Sequence, residues 1–128
     1  MQNPEQIDAI RRLNDAARAI PGVTSVTNVT RGFQALSDAD RSAALALIAR
    51  FSKFDDNNDP YGEHDFGAVF RLASGEWTQD RPDDDRVIPV TVFWKIDYYE
   101  ADLAFGSDAP WNEDRTKRVL TIMLSNEY

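Results

Sequence analysis

The sequence predicts an α+β fold in which about three helices pack with a small antiparallel sheet. Two segments, 64–72 and 87–99, alternate apolar and polar residues, which is the pattern of half-buried strands. Two others, 4–19 and 38–52, repeat apolar residues at helical spacing. A chain of 128 residues is long enough to bury one core, so we expect a single domain over 1–128.

The two helical segments begin with capping residues. Asn3 followed by Pro4 is typical of an N-cap and a first helical residue, and Pro21-Gly22 ends this helix because proline cannot continue it. For the second helix, Ser37 to Asp40 approximates a capping box. Between the helices, the β-branched but rather polar segment 23–30 predicts a strand at a sheet edge.

The sheet is expected to centre on a long antiparallel hairpin formed by 64–72 and 87–99. Alternation within these segments places Lys95 and Asp97 on the same face as neighbours. If the faces of the two strands match, Asp65 comes close to Lys95 across the hairpin, as an opposite-charge pair.

The last segment, 116–128, fits two structures. Its apolar residues match a helical stripe, but the same run would also serve as a buried strand. We expect a helix, because the segment is long and either Asn112 or Asp114 could cap it, with Glu113 in the first turn. The stripe consists of Val119, Leu120, Met123 and Leu124.

The composition excludes several classes of protein. There is no cysteine, so disulfides and thiolate chemistry are excluded, and no apolar run approaches the length of a membrane-spanning helix. The N-terminus has no apolar stretch typical of a secretory signal, so we expect a cytoplasmic protein. The net charge of −8 disfavours direct binding to nucleic acid and favours a partner with a basic surface.

The segment Asp59–Gly67 concentrates turn residues, acidic side chains and the only histidine of the chain. The alternate positions of Asp55, Asn57 and Asp59 resemble the start of a calcium-binding loop, but the glycine and glutamate that such a loop needs are missing. Glu63, His64 and Asp65 alternate faces as strand neighbours, so they do not converge on a metal. We therefore expect no metal and no cofactor.

The sequence is consistent with three different roles for His64. It could act as a general acid or base in a small enzyme, a hydrolase or nuclease-like protein using Glu63, Asp65 or Asp97, with or without a divalent metal. It could instead hydrogen-bond the backbone of its own loop and have only a structural role. It could also belong to a binding surface together with Tyr61.

The preferred hypothesis is a non-enzymatic module that binds a basic protein through an acidic surface bearing aromatic residues. Trp77 is expected to be exposed in the polar connection between the strands of the hairpin, where it could anchor a partner. The same connection ends in three consecutive acidic residues, which would supply the charge. The expected binding residues are Tyr61, His64, Trp77, Asp83, Asp84 and Asp85.

Three blocks of sequence resemble a family of small bacterial proteins catalogued as domain of unknown function 3768. The blocks are 58–67, 93–99 and 118–124, and the opening Leu13-Asn14-Asp15 adds to the resemblance. The resemblance implies a stand-alone domain and no particular activity. Such proteins are similar to the accessory cargo of plasmids and prophages, which implies an inhibitor or anti-defence factor acting on a nucleic-acid-binding complex.

Overall fold

The computed structural model describes residues 2–128, which form an α+β fold with one mixed, mostly antiparallel sheet. Within these residues the helices are α1 (Pro4–Ala19), α2 (Arg31–Gln34) and α3 (Asp38–Ala49). The strands are β1 (Val26–Val29), β2 (Phe66–Arg71), β3 (Trp77–Thr78), β4 (Val90–Glu100) and β5 (Thr116–Leu124). Short 3₁₀ turns span Asp85–Val87 and Ser125–Glu127. None of the helices of residues 2–128 is long and apolar enough to cross a membrane.

The strands lie in the order β1-β5-β4-β2-β3. β1 runs parallel to β5 at one edge, and the other neighbouring pairs are antiparallel. The expected pairing of the two long strands is therefore confirmed for β2 and β4, and the edge position is confirmed for β1. The short β3 pairs with β2 at the opposite edge.

Both predicted helix starts are confirmed by their caps. The Asn3 side chain accepts a 2.8 Å hydrogen bond from the Gln6 amide, and the Gln6 side chain accepts one from the Asn3 amide. Ser37 accepts from the Asp40 amide at the start of α3. α3 ends at Ala49, three residues before the expected limit, and the short helix α2 was not predicted from the sequence.

The helices pack on one face of the sheet, where the core lies. Alternate residues of β4 and β5, including the fully buried Trp94, meet the apolar sides of α1 and α3. The opposite face is called the open face below. From the central strands it carries Phe66, Ala68 and Phe70 of β2, Thr91, Phe93, Lys95, Asp97 and Tyr99 of β4, and Lys117, Val119, Thr121 and Met123 of β5.

The expectation of a helix over 116–128 is wrong, because this segment forms β5 and a terminal 3₁₀ turn. β5 pairs with β4 on one side and with β1 on the other, so its backbone hydrogen bonds are made across the sheet. Both faces are largely buried from Arg118 to Met123. A strand covered on both faces loses the two-residue alternation of polar and apolar residues that would distinguish it from a helix.

The expected proximity of Asp65 and Lys95 is also wrong. The register pairs Phe66 with Lys95, and the Ile96 amide donates to the Asp65 carbonyl. Asp65 therefore lies level with Ile96 on the helix side, whereas Lys95 is on the open face. Lys95 forms its ion pair with Asp97 at 3.0 Å, and this part of the prediction is confirmed.

Candidate functional site

The loop between α3 and β2 turns around the buried carboxylate of Asp59. One oxygen of this carboxylate accepts hydrogen bonds from the amides of Glu63 (2.9 Å) and His64 (3.1 Å). The Asp59 amide donates to the Asp55 carbonyl, and the Gly62 amide donates to the Asp59 carbonyl. These bonds close two successive turns, so the conformation of residues 59–64, called the braced loop below, is fixed from inside.

A second set of contacts ties the braced loop to the helix and the sheet. Asn14 of α1 donates from its side-chain nitrogen to the Glu63 carbonyl (2.9 Å) and to the phenol oxygen of Tyr98 (2.8 Å). The Tyr98 hydroxyl donates to the Glu63 carboxylate at 2.7 Å. Burial, and then the hydrogen bond to Glu63, raises the pKa of Tyr98 well above its usual range. Tyr98 therefore stays a neutral donor.

His64 adopts a left-handed backbone conformation, with φ of +58°. Its ring stacks on Phe54 with centroids 3.8 Å apart and planes 4° from parallel. Its Nδ1 lies 2.9 Å from a carboxylate oxygen of Asp15, and its Nε2 lies 3.9 Å from the second oxygen of Asp59. A non-glycine residue adopts positive φ at a cost, which these contacts of the side chain offset.

Arg18 of α1 contacts Phe54, the ring on which His64 stacks, and also Trp94. Its guanidinium lies 4.7 Å from the ring centroid of Trp94 and 5.4 Å from that of Phe54. It donates to the carbonyls of Ile48 and Phe51 at the end of α3, and it forms an ion pair with Asp15. Burial lowers the pKa of Arg18. The cation thus satisfies carbonyls that a helix end leaves without intrahelical partners.

Asp65 follows the braced loop and is half-buried. Burial is the main reason that its pKa is raised to about 6, and the negative charges of Glu63 and Asp59 add to the effect. The carboxyl is therefore protonated over a pH range in which an exposed aspartate is ionised.

Tyr61 is the residue that the braced loop presents to solvent. Its side chain follows Pro60 at the tip, and 77% of the residue is exposed. Directly after it, the Gly62 carbonyl accepts a 2.9 Å hydrogen bond from Nε of Arg11. The tip is therefore anchored on both sides of an aromatic side chain that remains free.

A family model described as "Protein of unknown function (DUF3768)" matches residues 29–127, which include the braced loop and the strands β2 to β5. The chain belongs to this family. No curated protein and no solved structure matches the chain significantly. The residues that α1 contributes to the site lie before the matched range in this DUF3768 protein.

The structure does not bring the proposed catalytic residues together. Glu63 is engaged by Tyr98, and Asp97 lies on the open face, on the far side of the sheet from His64. The carboxylate within hydrogen-bond distance of His64 belongs to Asp15, which was not among the expected residues. Among residues 2–128, no group of three histidine, aspartate or glutamate side chains is arranged to hold a metal ion.

The other expected binding residues of this DUF3768 protein lie apart from the braced loop. The expectation that Trp77 is exposed is wrong: it is half-buried against the core, and its indole nitrogen donates to Asp40 at 2.9 Å. The three acidic residues are exposed, but two of them are paired with arginines. Asp84 pairs with Arg86, Asp85 pairs with Arg81, and Asp83 is exposed beside them.

Six residues of the site were not selected from the sequence. The helical pattern offers a signal for two of them, because Asn14 and Arg18 are polar residues on the buried side of α1, next to Ile10 and Ala17. A polar residue within an apolar stripe needs a buried partner. The others are Arg11, Asp15, Phe54 and Tyr98, and the sequence gives no comparable signal for them.

Proposed function

We propose that this DUF3768 protein is a non-enzymatic protein-binding module that presents Tyr61 to a partner with a basic surface. The supporting observation is the contrast within the braced loop: Tyr61 is 77% exposed, whereas the groups around it are held by hydrogen bonds. Tyrosine is enriched at binding hot spots because its ring supplies a large contact area with few rotatable bonds.

The rigidity of the braced loop favours a role of the exposed Tyr61 ring in binding a partner rather than in folding. Ordering a flexible loop at an interface reduces affinity, and a loop that is ordered beforehand avoids this loss. In the braced loop the order comes from contacts made within the chain. Asp59 closes the turns, Arg11 fixes the far side of the tip, and Asn14 holds the Glu63 carbonyl.

The charge around the loop indicates the kind of partner. Asp55 and Asp56 are exposed on the approach to the tip, and the chain as a whole carries a net charge of −8. A basic surface with an apolar pocket for Tyr61 would complement them. In its most specific form the proposal is an inhibitor that covers the basic groove of a nucleic-acid-binding complex, as an anti-defence factor of a mobile element would.

The geometry supports the enzyme alternative less well. In that alternative His64 acts with Glu63, Asp65 or Asp97, and at least two carboxylates must converge on the imidazole within hydrogen-bond reach. Only Asp15 lies within that reach, because the nearest oxygen of Asp59 is 3.9 Å from Nε2. Glu63 is instead engaged by Tyr98, and the ring of His64 is stacked on Phe54. A turnover that is lost on His64→Ala substitution in a stably folded variant would favour the enzyme.

The test compares two exposed aromatic residues on different loops. Phe105, in the β4–β5 connection, is 73% exposed and serves as a matched control for Tyr61. A partner is captured from lysate, purified, and titrated against the wild type, Tyr61→Ser and Phe105→Ser by calorimetry. We expect Tyr61→Ser to weaken binding roughly tenfold or more, and Phe105→Ser to leave it nearly unchanged.

Added salt should also weaken the complex, because the proposed attraction is partly electrostatic. A partner that binds Tyr61→Ser as tightly as the wild type would contradict the proposal. Loss of the partner on replacing Asp83, Asp84 and Asp85 by alanine, with Tyr61→Ser unaffected, would place the binding surface at the acidic run instead.

A further inference from the structure

The open face has a symmetric pattern of side chains along its central strand. After Thr91 near its start, β4 presents Phe93, Lys95, Asp97 and Tyr99 in turn on this face. The two aromatic residues flank an ion pair whose Nζ and Oδ2 atoms lie 3.0 Å apart, and about two fifths of each charged side chain is exposed. If the direction of β4 is reversed about Ile96, Lys95 therefore takes the position of Asp97, and Phe93 takes the position of Tyr99.

We propose that the open face pairs with the same face of a second copy of this chain. The two-fold axis lies between the sheets, across β4 at the level of Ile96. It places Lys95 of one copy opposite Asp97 of the other, and Phe93 opposite Tyr99. A two-fold interface requires such self-complementarity, because each surface patch must fit itself.

On the neighbouring strand, Thr121 lies beside Lys95, Val119 beside Asp97 and Met123 beside Phe93. Because Val119 and Met123 are only 9% and 3% exposed, the side chains of β4 would make most of the contact, and these two apolar residues support them. Together with Tyr128 they border a groove of about 470 Å³ on the open face. A sheet face that stays exposed to water usually carries polar residues. When two sheets pack face to face in a sandwich, they lie about 10 Å apart.

The charges favour a second copy over a different partner. The centre of the open face carries one lysine and one aspartate, so it complements neither a strongly basic nor a strongly acidic surface. In the proposed dimer, two cations and two anions alternate, and each Lys95 meets carboxylates of both copies. A register shifted by one pair would bring like charges together, which disfavours other arrangements.

The test is a charge reversal followed by sedimentation velocity over a wide range of concentrations. The wild type should dimerise, and Lys95→Glu and Asp97→Lys should each weaken dimerisation roughly a hundredfold, because each places like charges opposite one another. Mixing the two variants should restore a dimer, since one then carries two anions and the other two cations. The doubly substituted chain should also dimerise with itself.

The Arg12→Glu variant is the control, because Arg12 and Asp8 form a comparable exposed pair on α1 at 3.0 Å. It should dimerise like the wild type, and thermal melts should show that all variants are folded. A wild type that remains monomeric at its solubility limit would overturn the proposal. So would a dimer that neither charge reversal weakens, or two reversed variants that fail to associate when mixed. The Tyr61→Ser variant should dimerise normally, so the two proposals can fail separately.

Discussion

The side-chain oxygen of Asn14 accepts a 2.6 Å hydrogen bond from Nε of Arg118, a residue 104 positions later in the chain. Both residues are buried, and the opposite end of the Asn14 amide reaches Tyr98 and the Glu63 carbonyl. One side chain thus joins α1, the braced loop and two strands. The rigid presentation of Tyr61 depends on this junction, although neither Asn14 nor Arg118 is near the surface.

Replacing Asn14 by alanine should destabilise the protein by about 2–4 kcal/mol, because the buried Arg118 and the half-buried Tyr98 would each lose a partner. Urea unfolding measures the change. Asn126→Ala, at an exposed position of the terminal turn, should change stability by less than about 0.5 kcal/mol. Equal stability of the two variants would show that the junction contributes little.

Replacing Gly67 by alanine should destabilise the protein by about 1–3 kcal/mol, because the added methyl group overpacks the core. Its Cβ would lie 2.6 Å from Nε1 of Trp94 and 2.7 Å from the ring of Phe51. At Gly106 the nearest atom is the Tyr98 carbonyl oxygen, 3.8 Å away, so Gly106→Ala is the matched control and should be tolerated. Thermal melts of the two variants should therefore differ, and coinciding melts would contradict the close approach.

The Asp65→Asn substitution should stabilise the protein near neutral pH. The folded-state pKa of Asp65 is raised to about 6 by burial, so the folded protein binds more protons than the unfolded chain between its ordinary pKa and about 6. The contribution of Asp65 to stability therefore falls as the pH rises through this range. The variant should be more stable than the wild type by about 1–2 kcal/mol near neutral pH, after allowance for screening, and equally stable in acid.

Urea unfolding at a series of pH values measures this difference. Asp56→Asn provides the control, since Asp56 is exposed and its replacement should give no pH-dependent gain. A gain of the same size at all pH values would show that titration of Asp65 is not its cause.

Glu127 should stabilise the attachment of the C-terminal turn in a pH-dependent way. Its carboxylate accepts hydrogen bonds from the Thr30 hydroxyl (2.5 Å) and from the amides of Leu124 and Gly32 (2.9 Å each). The bond from Thr30, followed by those from the two amides, lowers the pKa of Glu127. Its contribution is therefore present above the ordinary glutamate pKa and is lost as the pH falls through the lowered value.

Glu127→Gln should lower the melting temperature near neutral pH, and the difference from the wild type should disappear in strong acid. Glu76→Gln, at another exposed position, should melt like the wild type throughout. A difference in melting temperature that persists unchanged in strong acid would indicate that the changed side-chain group at position 127, rather than the loss of its charge, is the cause.

Local patterns in the sequence predicted most of the elements. The caps at Asn3 and Ser37 are made by neighbouring residues, and the alternation of β4 reflects one buried face. These signals act over a few positions of the chain, so they can be recognised without knowledge of the fold. They also indicated the α+β class and the pairing of β2 with β4.

The remaining features depended on distant contacts. The segment 116–124 is a strand because β4 and β1 supply its hydrogen bonds, and no local pattern contains that information. Similarly, the pairing of His64 with Asp15 exists because the packing of α1 brings together residues 49 positions apart. The sequence by itself determined where α1 and α3 begin and which face of β4 is buried. The tertiary structure alone decided which polar side chains meet, because a buried polar group takes its partner from whichever element packs against it.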